Sequence, residues 1–297
     1  MTRRIAITGA TGFIGSALAT RFIGLGRQVV GLARKVPERA SSSMTWRPFD
    51  LSDREVPFDL LDGADILIHA AMQARSAEDD AIKTNIEGTR KLLEVAHACG
   101  VRRRILLSSF SAHDDARSAY GKQKHAIEKL FSTSSDAVVR PGLVIGNGGL
   151  FARLADDLRT RRIVPLIDGG MQPLQTIHID DLCAAIERIV VQDMGGAFNL
   201  AEPIAVSYKA FYKGLCSRLG VAPLFIPVPF APARLALAIA AALRIPIPIG
   251  PDNLLGLKAM RGRETNTDIR RLGIRVRTTR ESLDAWSLPS STTAAHT

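Results

Sequence analysis

The run Arg4-Ile5-Ala6-Ile7-Thr8 passes directly into Gly9-Ala10-Thr11-Gly12-Phe13-Ile14-Gly15, so glycines recur at every third position where a buried strand would turn into a helix. Gly9 permits the tight turn and Gly12 lets a pyrophosphate approach the backbone. Gly15 lets the new helix lie against its strand while that helix's unpaired N–H groups face an anion. Thr11, Phe13 and Ile14 complete the candidate dinucleotide site with these three glycines. The spacing is GxxGxxG rather than the commoner GxGxxG, so its weight depends on what accompanies it.

The rest of the chain continues the pattern. Strands are expected at Gln28–Ala33, near Trp46–Phe49, at Asp65–Ala70, Arg104–Leu107 and Ala137–Arg140, with helices at Phe13–Leu25, about Ala77–Cys99 and Ser118–Phe131. Short apolar strands alternating with helical spans imply right-handed crossovers and a doubly wound parallel α/β sheet of Rossmann type. Ligands then bind beyond its carboxyl edge. Residues 1–165 read as the nucleotide-binding domain, with 174–200 returning to it, and 201–288 as a small, mostly helical substrate region. Within the return, a strand is expected at Leu174–Ile177, a helix capped by Asp180, and a strand at Ala197–Leu200. Residues 289–297 read as a fraying tail.

A chain of 297 residues, 46% of them hydrophobic, can bury a large core. No leader precedes the first strand, and the chain reads as a cytoplasmic enzyme. The formal charge of +10 is concentrated near the end, in Lys258, Arg261, Arg263, Arg270, Arg271, Arg275, Arg277 and Arg280. Such a field can steer an anion or touch a membrane surface, or it can be a solvated face. Sparse aromatic residues and the absence of a recognition module argue against nucleic acid. Cys99, Cys183 and Cys216 read as small buried hydrophobes, and no residues show metal-ligand spacing. Leu235–Leu243 is too short to cross a bilayer. It reads as a packing helix, with a pocket wall or peripheral membrane contact as alternatives.

Ala33-Arg34-Lys35 ends the second strand, where an acidic residue would hold an adenosine ribose 2′-hydroxyl. The two cations Arg34 and Lys35 favour a 2′-phosphate and hence NADP(H) over NAD(H). Asp50-Leu51 places a carboxylate near the adenine or serves as a turn cap. His69-Ala70-Ala71 follows the fourth strand, and its small residues allow close approach of the cofactor, with His69 itself read as structural. Further on, Tyr120 and Lys124 stand four apart on one helix face. An ammonium beside a phenol favours the phenolate and so equips Tyr120 to exchange a proton with an alcohol or ketone. Ser109, at the end of the fifth strand, is placed to bond the substrate oxygen.

Taken together, the opening turn, His69-Ala70-Ala71, Asn85 in Lys83–Thr89, Ser108-Ser109, Tyr120–Lys124, Arg140-Pro141-Gly142 and His178–Asp181 resemble the short-chain dehydrogenase/reductase superfamily. The likeness is to its extended and atypical branches, the NAD-dependent epimerase/dehydratase group. It covers about the first 190 residues. The resemblance implies a Ser109-Tyr120-Lys124 catalytic trio, Asn85 supporting the lysine, Pro141 close to the nicotinamide, and Asp181 clamping the substrate region. It also implies hydride transfer at a secondary alcohol or ketone of a small molecule, by an oxidoreductase or an epimerase. Helices 81–98 and 118–131 would form a homodimer bundle in such relatives. The short Ser109–Tyr120 interval and Arg140-Pro141-Gly142 depart from typical sugar-nucleotide epimerases. They bring the chain nearer to atypical members, some of them non-catalytic cofactor-binding scaffolds or redox sensors such as accessory subunits of respiratory complex I.

Overall fold

The computed structural model describes residues 3–37, 43–73, 78–132, 134–242 and 251–288. The first half runs β1 (Arg4–Thr8), α1 (Phe13–Gly24), β2 (Gln28–Ala33), β3 (Thr45–Pro48), β4 (Ile66–His69), α2 (Glu78–Ala98), β5 (Arg103–Leu107), α3 (Ala119–Glu128) and β6 (Ala137–Pro141). The second half continues with β7 (Leu143–Ile145), α4 (Gly149–Thr160), β8 (Ile163–Ile167), β9 (Pro173–Leu174), β10 (Thr176–His178), α5 (Ile179–Val191) and β11 (Gly196–Leu200). It ends with β12 (Val206–Ser207), α6 (Tyr208–Leu219), β13 (Leu224–Val228), α7 (Phe230–Ala242), α8 (Pro251–Lys258), α9 (Asn266–Leu272) and α10 (Thr279–Ala285).

Seven strands form one sheet in the order β3-β2-β1-β4-β5-β6-β11, every neighbouring pair parallel. Chain order reverses between β1 and β4, and the carboxyl ends there flank a crevice. Alternation along β1 explains the two layers of core. Ile5 and Ile7 face Leu18 and Phe22 of α1 and Ile186 of α5, whereas Ala6 faces Leu92 and Val95 of α2. Because helices cover both faces, the interior strands read as unbroken apolar runs. At the edge, β3 tolerates Pro48, whose missing N–H would break a ladder inside the sheet.

A third core sits apart from the sheet, where Phe151, Leu158, Phe211, Leu215 and Trp286 meet. The Trp286 ring stands edge-on to Phe151 at 4.8 Å between centroids, and its Nε1–H donates to Asn147 Oδ1 at 2.6 Å. The final helix thereby packs against the middle of the chain.

Four details differ from the sequence reading. The expected Leu174–Ile177 strand is divided at Gln175 into β9 and β10, because β9 pairs antiparallel with β12 and β10 parallel with β7; the Gln175 side chain bonds the carbonyls of Glu202 and Arg263 and the Arg263 N–H. His178, not Asp180, caps α5, and its Nδ1 accepts the Asp180 N–H at 3.3 Å. The described part of α7 lies on the surface instead of packing inside, with Leu235 63% exposed. Finally, seven of the eight basic residues near the end have a partner: Asp168, Asp115, Asp181, Glu281 and Asp284 take Lys258, Arg261, Arg277, Arg275 and Arg280. Arg263 and Arg271 bind backbone carbonyls. Much of that positive charge therefore ties the last segment to the body of the protein. The tail 289–297 and residues 243–250 lie outside the described residues.

Candidate active site

At the opening turn Gly9 has φ +65°, and a β-carbon there would lie 2.9 Å from the Ala71 backbone. A β-carbon at Gly15 would overlap the Gly9 carbonyl, so the turn, the Ala70-Ala71 segment and α1 close on one another only without side chains. Gly12 caps α1 with no side-chain acceptor and no acidic residue follows in the first turn, which leaves its N–H groups to an incoming anion. The Phe13 ring leans the other way, onto Gly146 and Gly148 beyond β7. This cradle, at the sheet's switch point, fits the pyrophosphate of a dinucleotide.

Both ring nitrogens of His69 are bonded within the fold. Thr89 Oγ1 donates to the Asn85 carbonyl at 2.7 Å, so His69 Nε2–H donates to Thr89 at 3.0 Å and its Nδ1 accepts the Thr8 hydroxyl at 2.8 Å. Thr8 Oγ1 in turn accepts the N–H groups of Ala70 and Ala71, both at 3.1 Å. The chain of bonds admits one tautomer and fixes the edge of the crevice. Burial, and secondarily the nearby Lys124 cation, pushes the His69 pKa down to about 3. An unfolded chain takes up a proton near 6.5 that the folded one refuses until about 3, so acid favours unfolding throughout that window. Urea titrations of wild type should show stability falling by a few kcal/mol between these limits, roughly 1.4 per unit of pKa shift. In His69→Gln that slope should flatten.

Asn85 holds the same edge in a manner the resemblance did not imply. Its Oδ1 accepts the Gln73 N–H at 2.8 Å and its Nδ2 donates to the Gln73 carbonyl at 3.0 Å, pinning the loop after β4. Asp50 caps a turn: its Oδ1 accepts both the N–H and the hydroxyl of Ser52, at 2.9 and 2.8 Å. Its neighbour Leu51 is buried with its carbonyl against Gly88 of α2. Arg34 and Lys35 are exposed at the end of β2 and form no hydrogen bond or ion pair with a described residue.

The catalytic candidates lie on α3 and at the end of β5. Ser118 caps α3 through the Gly121 N–H at 3.1 Å, and Asp252 of α8 accepts the Ala119 N–H at 2.5 Å. Tyr120 follows in the first turn, 41% exposed as a residue. Its hydroxyl nevertheless sits where desolvation raises the phenol pKa, and the nearby Ser109 hydroxyl pulls it partly back. Lys124 is buried one turn on and donates to the Leu107 carbonyl at 2.7 Å. Burial lowers its pKa to about 8, against an upward pull from Glu128. Ser109 and Tyr120 are thus neighbours, whereas the ammonium is held lower, on the strand; the lowered phenol pKa expected from the sequence is not what this arrangement gives.

Beneath the trio lies a network that the sequence reading passed over. Buried Glu128 accepts the Ser108 hydroxyl and two bonds from Arg140, at 2.8 and 2.6 Å. The paired carboxylate raises the Arg140 pKa. Tyr120, Lys124 and Glu128 recur at intervals of four, so the acid was legible as the next step of the stripe. Arg263 lies across the opening and donates to the carbonyls of Phe110 and Ala112, both at 2.8 Å. It is held there by Gln175, and nothing local in sequence announces this long-range contact. The Pro141 carbonyl accepts the Phe110 N–H at 3.1 Å, joining β6 to the same loop. Asp181 binds Arg277 through both backbone N–H and guanidinium, at 2.9 and 2.6 Å, which anchors the C-terminal segment to α5.

Comparison with known proteins agrees with this construction. An uncharacterised protein of Mycobacterium tuberculosis is 28% identical over 218 residues, 71% of this chain, and the chain spans only 23% of that relative's length. The 4-hydroxy-2-methyl-3-oxo-4-farnesyl-3,4-dihydroquinoline-1-oxide ketoreductase of Stigmatella aurantiaca is 26% identical, covering 78% of each chain. Ceramide reductase of Caulobacter vibrioides is 28% identical, covering 76% of this chain and 73% of its own. Among solved structures, MoeE5 in complex with UDP-glucose and NAD superposes with a TM-score of 0.71 at 22% identity, over 95% of this chain and 96% of that one. The model of the NAD dependent epimerase/dehydratase family matches residues 5–201, from β1 through the last strand of the sheet. The chain belongs to the NAD dependent epimerase/dehydratase family.

Proposed function

We propose that the protein is an NADP(H)-dependent reductase of a ketone carried by a small, largely apolar molecule, with Ser109, Tyr120 and Lys124 as its catalytic residues. The observation that carries the reading is Tyr120 and Lys124 one turn apart on α3, with the Lys124 ammonium on the Leu107 carbonyl at 2.7 Å and Ser109 two residues beyond that carbonyl at the end of β5. Bound NADPH supplies the hydride to the carbonyl carbon. Ser109 orients the carbonyl oxygen by a hydrogen bond, and Tyr120 gives that oxygen its phenolic proton. A phenol whose pKa is raised by burial keeps its proton at neutral pH, which suits reduction better than oxidation. Lys124, with one N–H on Leu107, has two left for the cofactor ribose and for returning a proton to the phenol.

Arg34 and Lys35 support the choice of NADP(H), because two exposed cations at the end of β2 suit a 2′-phosphate. An apolar substrate is supported by two reductase relatives whose names specify farnesyl and ceramide substrates. The test is a panel of long-chain ketones, with UDP-glucose beside them, followed by NADPH absorbance. Oxidation of NADPH by the ketones alone supports the reading. Cofactor binding without turnover across the panel supports a scaffold instead. In the double variant Arg34→Ala/Lys35→Ala, KM for NADPH should rise at least about tenfold, as expected for losing two charge-assisted phosphate contacts. KM for NADH should stay within about twofold; parallel changes in both would remove these residues from the phosphate site.

A further inference from the structure

We propose that the outer face of the β8–β13 ribbon, continued by the start of α7, docks on an anionic phospholipid surface. Pairing between the strands sets Ile163 opposite Leu224, Pro165 opposite Ile226 and Ile167 opposite Val228. The alternate residues Val164, Leu166 and Phe225 enter the third core, so these six apolar side chains share the outward face. Leu224 is 63% exposed and Ile163 52%. The chain then enters α7 through Phe230-Ala231-Pro232-Ala233-Arg234-Leu235, in which Leu235 is also exposed and Arg234 is the one charge. An outward apolar face of this extent is unusual for a surface bathed only in water.

Charge decides the occupant. Of the cations around this face, two make none of the ion pairs with described residues that hold five of the eight C-terminal cations, Lys258 among them. Arg162, whose carbonyl accepts the Leu224 N–H at 2.8 Å, and Arg234 are both exposed and form no ion pair with a described residue. Lys258 lies 4.1 Å over the Phe230 ring. The carboxylate at this rim, Asp168, is taken by Lys258 and by the Phe230 N–H. A second copy of the chain meeting this face across a two-fold axis would bring the same unpaired guanidinium groups together. Acyl chains bordered by phosphate headgroups instead satisfy both components, apolar side chains entering the interface and Arg or Lys remaining at headgroup level. No described helix is long and apolar enough to cross a membrane, so the contact is with the surface.

Co-sedimentation of the full chain with vesicles of phosphatidylcholine, with and without phosphatidylglycerol, tests this. Wild type should pellet with the anionic vesicles and much less with the neutral ones. Leu224→Asp/Leu235→Asp should weaken that binding at least about tenfold, as should Arg162→Glu/Arg234→Glu, while circular dichroism and NADPH binding stay as in wild type. Failure of wild type to bind anionic vesicles overturns the proposal. So does equal binding by all three proteins, or a wild-type dimer in solution that the leucine variant converts to monomer. The outcome is independent of turnover, so it stands or falls apart from the assigned activity.

Discussion

Tyr120→Phe should lower kcat for ketone reduction by about a thousandfold, within the range expected when a positioned general acid is deleted. The dissociation constant for NADPH, read by fluorescence titration, should change less than about twofold. The split follows from geometry. In the proposed mechanism the phenol acts beside Ser109 on the substrate oxygen, whereas the proposed pyrophosphate cradle is the separate turn of Gly9, Gly12, Gly15 and the Ala70-Ala71 segment. Tyr120 belongs to none of the apolar clusters of the core, so removing its hydroxyl should also leave thermal stability largely unchanged. Turnover equal to wild type would take the phenol out of the chemistry.

For Glu128→Ala the expected loss is of stability first, on the order of 3 kcal/mol in urea unfolding, because removing one partner of a buried charge network strands the rest. Arg140 loses both bonds from its guanidinium, Ser108 loses its acceptor, and buried Lys124 loses its compensating carboxylate. Glu128→Gln should fold better and isolate the electrostatic effect. The pKa of Lys124, lowered from 10.5 to about 8, already means that carrying this ammonium into the fold is unfavourable at neutral pH and that the penalty is relieved as pH rises above about 8. Four charged or titratable groups face it or its carboxylate: Glu128 on its own helix, His69 on β4, Arg140 on β6, and Arg263 from the C-terminal segment. Without the Glu128 charge, the basic limb of the rate profile should move toward lower pH. An unmoved limb in Glu128→Gln would show that another group sets it.

Local pattern carried the sheet well and the site unevenly. Runs such as Ile66–Ile68 and Ala137–Val139 announce interior parallel strands because burial on both faces selects apolar side chains, and the glycine spacing announces a turn that no side chain fits. Residues whose role depends on distant partners gave no such signal. Gln175 reads as an ordinary strand residue until its bonds to Glu202 and Arg263 are seen. The terminal cations left a steering field and a solvated face both open because their partners, Asp115, Asp168 and Asp181 among them, lie far away in the chain. Asp50 was ambiguous in principle: a carboxylate after a strand serves a ligand or a turn equally well, and the bonds to Ser52 show the turn role alone. Apolar composition likewise made α7 look internal, since periodicity cannot report that nothing lies opposite.

The edge-on contact between Trp286 and Phe151 also sets an order of events during synthesis. By the time the ribosome has released residue 200, every strand of the main sheet exists and that layer is free to assemble. Phe151 and Phe211 must wait for a tryptophan supplied at position 286. The nascent chain therefore carries an unfinished apolar cluster until residue 286 emerges, and it is in that interval that a chaperone has most to hold.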